Sequence, residues 1–218
     1  MKRLLVPRPV IVLCISLFVS ACSGLRSSEA PAVTYNLRAK VASATVDAPA
    51  APSRLKAFSL QVLAPVAGPG LDSDAIVLTA PDHRLEQFAA SKWAAPAPRM
   101  LASLAAETLR NRGVLAAVHD DISPFPGDYL LRITIRRFDA DYAAGTGAAP
   151  AATVVLDCAV GTRVERKLLA TFVAQATVRA DDNRMGAVVA AFEQATQDAM
   201  DKLTEQTLAV MSIEAAAH

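Results

Sequence analysis

The sequence predicts an α+β domain, a largely antiparallel sheet with two main helices packed on one face. Three observations carry this prediction. Residues 34–88 are rich in short apolar runs of strand type, residues 128–178 hold three longer ones separated by turns, and each group is followed by a segment with helical spacing of its apolar residues. Strands, helix, meander, helix is the order of an α+β domain rather than of alternating βαβ units.

Thr34–Ala39 reads as a first strand, and Ala48–Ser53, with prolines at 49 and 52, breaks regular structure. A second strand is expected over Leu55–Val62, ended by Pro65 and by Gly68-Pro69-Gly70. Ala75–Thr79 and Arg84–Phe88 form a hairpin turned at Pro81-Asp82. From Pro96 and Pro98 onward, Met100, Leu101, Leu104, Ala105 and Leu109 recur at helical spacing. Arg110 and Arg112 suit the negative end of the helix dipole and Gly113 can cap it, so a helix is expected over about 97–112.

Val114–Val118 follows as a short strand, then Asp128–Phe138 as a long one with Leu131, Ile133 and Ile135 inward and Arg132, Thr134 and Arg136 outward. A Gly/Ala loop over 143–152 leads to the strand around Cys158. The polar turn Gly161–Lys167 leads to the strand Leu168–Val178, which completes an antiparallel meander. Asp181-Asp182-Asn183 can cap a closing helix reaching about residue 212, with Met185, Val188, Val189, Phe192, Ala195, Ala199 and Leu203 as its apolar stripe.

The N-terminus reads as an address. Lys2, Arg3 and Arg8 precede the apolar run Val10–Val19, which is too short for a membrane-spanning helix of roughly 20 residues. The run ends in Val19-Ser20-Ala21-Cys22, which resembles a bacterial lipobox: a branched apolar residue, two small residues that admit a peptidase, and a thiol that takes a diacylglyceryl group. Residues 1–21 are then a lipoprotein signal peptide, 22–32 a lipidated small and polar tether, and 33–213 one folded domain. Two or more acyl chains hold a protein stably, whereas one holds it marginally. Ser23 after the cysteine, where no aspartate marks retention, favours the outer membrane by analogy with enteric sorting.

Composition excludes several functions. Lys plus Arg number 22 against 21 for Asp plus Glu, and aromatics are 5%, so neither a field nor a stacking platform for nucleic acid exists. There is no Gly-x-Ser-x-Gly elbow and no phosphate loop, and Gly145-Thr146-Gly147 meets Ala148-Ala149-Pro150 where a dinucleotide fingerprint needs its third glycine. His83 beside Asp82 and His119 beside Asp120 have no partner at ligand spacing and read as turn residues. No catalytic, cofactor or metal site is therefore expected. Cys158 alternates with Val154, Leu156 and Val160 and reads as a buried, inert thiol. Arg132, Arg136 and Arg137 form a basic row that suits either an ordinary solvated strand face or contact with headgroups or a partner. Trp93 suits a core wedge or an exposed contact.

Several marks in order resemble the ABC-type transport auxiliary lipoproteins, the PqiC-like family that accompanies Mce-domain lipid-transport systems. They are the Tyr35-x-Leu37 strand soon after Cys22, His83-Arg84-Leu85-Glu86 running into Trp93-Ala94-Ala95-Pro96 and a Leu-rich helix, and Phe172-x-Ala174 leading to Asp182 and a long Ala-rich helix. The family often has paired tyrosines before the first leucine, whereas Thr34 precedes Tyr35 here, which leaves the role of this edge open. The resemblance implies a non-enzymatic periplasmic domain on the outer membrane. It would work with an ABC permease and ATPase and a substrate-binding Mce protein, docking on or receiving from the Mce component, with phospholipid or another hydrophobic molecule as the system's cargo, and leave a homo-oligomer open. Cys22 is its lipidation site, and Tyr35, Trp93, Arg132 and Arg136 are the candidate partner contacts. A structural assembly lipoprotein of pilotin type is the alternative.

Overall fold

The structure, a computed structural model, describes residues 31–38 and 54–217. Cys22, the tether and the expected break at 48–53 lie outside the described residues. From Ala32 onward the chain forms one compact unit.

In chain order the elements are β1 (Val33–Tyr35), a 3-10 turn (Arg54–Ala57), β2 (Ser59–Val62), β3 (Val66–Ala67), β4 (Ala75–Thr79), β5 (Leu85–Trp93) and α1 (Ala97–Asn111). They continue with β6 (Ala117–His119), β7 (Tyr129–Asp141), β8 (Ala151–Thr162), β9 (Leu168–Arg179) and α2 (Met185–Ala217). The fold class is the expected one. The long pairings are antiparallel: β4 with β5, and β7 with β8 from Tyr129↔Thr162 to Asp141↔Ala151, with β9 added along β8.

The sheet is nonetheless mixed, because short parallel joins attach β1 to β5, β2 to β6, and β2, β3 and β4 to β7. Sequence periodicity identifies strands but carries no information on which distant strands meet. Leu55, expected in a strand, lies within the turn before β2 instead, and β7 runs three residues beyond Phe138.

α1 starts at Ala97 after Pro96, with Pro98 in the first turn, where a missing N–H costs nothing. The Ala97 N–H donates to Ser73 O at 3.0 Å, tying the helix start to the loop before β4. α1 packs on β2 and β6 and against α2, which lies along β8 and β9. Leu101, Leu104 and Leu109 of α1 and Val188, Phe192, Ala195, Ala199 and Leu203 of α2 fill one core with Leu131, Ile133, Ile135, Val154, Leu156 and Val160 of the meander.

α2 extends to Ala217, past the expected end near 212. Its predicted cap is used otherwise. The Tyr142 hydroxyl donates to Asn183 Oδ1 at 2.7 Å and Asn183 Nδ2 donates to Thr146 O at 2.9 Å, so Asn183 clamps the β7–β8 loop. No helix among the described residues is long and apolar enough to cross a membrane.

Candidate functional site

Alternation gives the β7–β9 meander two unlike faces. One is covered by α2 and fully apolar. The other carries Arg132, Thr134, Arg136, Asp157, Thr171 and Val173 and has no helix over it. Arg132, Thr134, Asp157, Ala159, Thr171 and Val173 line a shallow depression of about 400 Å³ on this bare face.

Arg136 Nε lies 3.1 Å from Asp157 Oδ2, which partly neutralises it. Arg132 is exposed and pairs with no carboxylate among the described residues. Its guanidinium therefore keeps a planar set of donors free for an external carboxylate or phosphate.

A register shift between Ile135 and Arg137 places two successive arginines before the alternation resumes. Arg137 then grips two acids. It donates to Asp139 from Nε at 3.0 Å and Nη2 at 2.8 Å, and to Asp141 Oδ2 at 2.8 Å, while the Thr79 hydroxyl donates to Asp139 at 2.7 Å.

Asp139 is only 2% exposed, so its charge is held by these bonds. The hydrogen bond from Arg137 holds the Asp141 carboxyl below the usual carboxylate range against the opposing effect of burial, helped by the Ala143 N–H. The same carboxylates, Asp139 first, raise Arg137. The network sits where β4 joins β7 at Leu78↔Ala140, so it fixes the branch of the sheet. Sequence reading missed it, although the doubled arginine followed by acids at 139 and 141 was the available signal.

The structure separates the other sequence candidates. Trp93 is a core residue, 1% exposed, with ring centroids 5.7 Å from Phe138 and 5.2 Å from Phe192. It is a wedge between the sheet and α2 rather than a surface contact, because Ala90 at φ 50° bulges β5 and re-aims the strand's last residues. Tyr35 is half-buried beside it in register on β1, with its carbonyl accepting from Ala94 N at 2.7 Å. Tyr35 and Trp93 thus adjoin each other on β1 and β5, whereas Arg132 and Arg136 stand on the bare face of β7.

A groove of about 1050 Å³ runs beside α1, lined among others by Val62, Pro65, Asp72, Arg99, Glu107 and Asp121. His83 lies in the β4–β5 turn and His119 ends β6, so the two imidazoles are not brought together. The His119 Nδ1 to Ser123 Oγ distance is a long 3.4 Å. No group of three or more His, Cys, Asp or Glu able to hold a metal occurs among the described residues. Cys158 is buried, and burial pushes its thiol up to about 12, which suppresses the nucleophilic thiolate.

Residues 35–204 match the family model of the ABC-type transport auxiliary lipoprotein component. Among solved structures, a Xanthomonas campestris protein of the DUF330 family is 27% identical, with a TM-score of 0.72 over 85% of this chain and 99% of that one. An uncharacterized protein at 13% identity shares the fold, with a TM-score of 0.61 over 81% of this chain and 99% of its own. No curated protein matches the chain.

Proposed function

The chain belongs to the ABC-type transport auxiliary lipoprotein family, and from that premise we propose that it is an accessory component anchored in the outer membrane by lipid on Cys22 and facing the periplasm. It serves an Mce-type intermembrane lipid transport system by docking to the Mce-domain substrate-binding protein, whose ABC permease and ATPase lie at the other membrane. It works by placement and contact, without chemistry of its own.

The observation that carries this reading is the bare face of the meander. Strand β7, paired along its length with β8, presents Arg132 with no carboxylate partner among the described residues, in the lining of a depression on the face that no helix covers. Arginine is the residue most suited to planar carboxylate recognition, and charged contacts on a rigid sheet set docking orientation more than raw affinity. Lipidation at Cys22 keeps this face within the tether's reach of one membrane.

The test is affinity purification of the full chain in mild detergent from cells carrying their own transport genes. Recovery of an Mce-domain protein with it is the expected result. A Cys22→Ala chain should leave the membrane fraction and lose the mass of the diacylglyceryl group. Unchanged fractionation of that variant contradicts the anchor, and absence of any Mce protein contradicts the partner.

A further inference from the structure

The most exposed of the large apolar side chains gather at one place, whereas Val33, Val66, Leu85 and Val173, at 42% to 55%, lie elsewhere on the sheet. The five most exposed among the described residues, at 63% to 91%, are Ile122, Phe125, Val164, Leu168 and Ile213. All five belong to segments that meet at one end of the sheet. Tyr129, the first residue of β7, pairs with Thr162 at the end of β8, and Leu168 at the start of β9 pairs with Gly161, so both strand ends lie there.

The β6–β7 loop, with Ile122 and Phe125, reaches the same end. The Asp128 carbonyl accepts from Arg163 N at 2.9 Å, which binds that loop to the β8–β9 turn. The end of α2 is drawn in by Lys167 Nζ and Glu214 Oε1 at 2.9 Å. The loop is held close by Gly127, where a side chain would start 2.5 Å from Gln61 N. Pro124 and Pro126 flank Phe125 and restrict the backbone that carries it.

We infer that this end of the domain is a membrane-apposed surface, whose apolar tips enter the interface of the bilayer that holds the lipid anchor. The inference rests on the reading of Cys22 as lipidated. Two features favour a lipid surface over a protein. The apolar residues stand on separate tips, the β6–β7 loop, the β8–β9 turn and the helix end, and Arg163, Glu165, Arg166 and Lys167 stand exposed between them. A protein interface needs a contiguous apolar centre, whereas a deformable bilayer accepts single side chains while neighbouring long cations keep their heads at the headgroup level.

Chain length also permits it. Residues 22–32 can span up to ~35 Å, and β1 pairs with Ser91–Trp93, beside the part of β4 that precedes its join to the far end of β7. The distance from that level to the apolar end, about nine residues of strand or ~30 Å, is within reach. The tips then orient the bare meander face sideways rather than into the lipid.

The experiment uses the full lipidated chain in vesicles of phosphatidylethanolamine and phosphatidylglycerol. An environment-sensitive fluorophore is attached at Phe125→Cys, Val164→Cys or, as the control at the opposite end, Asp181→Cys. Buried Cys158 and acylated Cys22 leave the introduced thiol as the reactive one. Blue-shifted, brighter emission at 125 and 164 but not at 181, quenched by lipids brominated near the headgroup, is expected. Emission at 125 and 164 equal to that in detergent-free buffer, with the lipid mass present on Cys22, overturns the inference and leaves the anchor standing. Absence of that lipid mass overturns the anchor instead, and the inference falls with it.

Discussion

The covered and bare faces of the β7–β9 meander are built from alternate residues of the same strands, so backbone, length and register are shared and only the side chains differ. On the covered face, Leu131, Ile133, Leu156 and Val160 meet α2 in a dry core. On the bare face, Arg132, Arg136, Asp157 and Thr171 stand in water, and the deeply buried polar group, Asp139, is fully engaged by Arg137 and Thr79. The difference teaches where stability and recognition are stored. Burial scales with apolar area removed from water, at roughly 25 cal/mol per Å², so the covered face carries the fold. Exposed ion pairs contribute ~0–1 kcal/mol each, so the bare face is free to vary for contact.

That division can be broken at its strongest point. Trp93→Ala removes the wedge between Phe138 and Phe192 and is expected to cost about 3–5 kcal/mol in urea unfolding. A loss below about 1 kcal/mol would mean that the covered face is not what holds the domain.

Arg137→Ala tests the one place where the bare face does carry stability. It leaves Asp139 buried without its cation, and the expected cost is about 2 kcal/mol, less than for a fully buried pair because the Arg137 side chain is 40% exposed. The same network predicts a pH dependence. Asp141 has a lowered folded value, so its contribution is complete above the ordinary carboxylate value of 3.8 and is lost as pH falls from there through the folded value. Thermal melts between pH 7 and pH 2 should show wild type losing more stability on acidification than an Asp141→Asn chain.

Ala90→Gly sharpens the comparison on the β5 side. Its φ of 50° is strained for a side chain with Cβ, and relief of that strain against glycine's greater unfolded freedom should stabilise by about 0.5–1 kcal/mol. Destabilisation would show that the bulge aiming Trp93 is not strained. Smallest of all is the expected stability change for Arg132→Ala, within about 0.5 kcal/mol of wild type by the same melts.

These predictions also mark what the sequence discloses and what it hides. β7, β8, β9, α1 and the buried stripe of α2 are legible because each is a long segment whose period repeats, and Cys158 is legible as buried from the same alternation. The parallel joins of β1, β2 and β4 are not, since three to five residues of apolar character name no partner and pairing is decided by tertiary packing. Of the Asp181-Asp182-Asn183 cap expected from sequence, Asn183 is instead engaged by the Tyr142 hydroxyl and the Thr146 carbonyl, distant in sequence, and Asp182 by Arg184.

On the candidate site, Arg132 and Arg136 were legible as an outward row. Trp93 was legible only as a large apolar residue whose side could not be read, because the bulge at Ala90 breaks the alternation that would have assigned it. The apolar end escaped sequence reading altogether, for Ile122, Val164 and Ile213 are ordinary single residues until the register brings their segments together.

The central claim is that one face holds the fold and the other meets the transport machinery. The most direct measurement pairs a melt with Mce capture for an Arg132→Glu, Arg136→Glu chain. An unchanged melting temperature together with loss of the captured Mce-domain protein is the predicted result. Full capture by the folded variant would contradict the assignment of docking to the bare face.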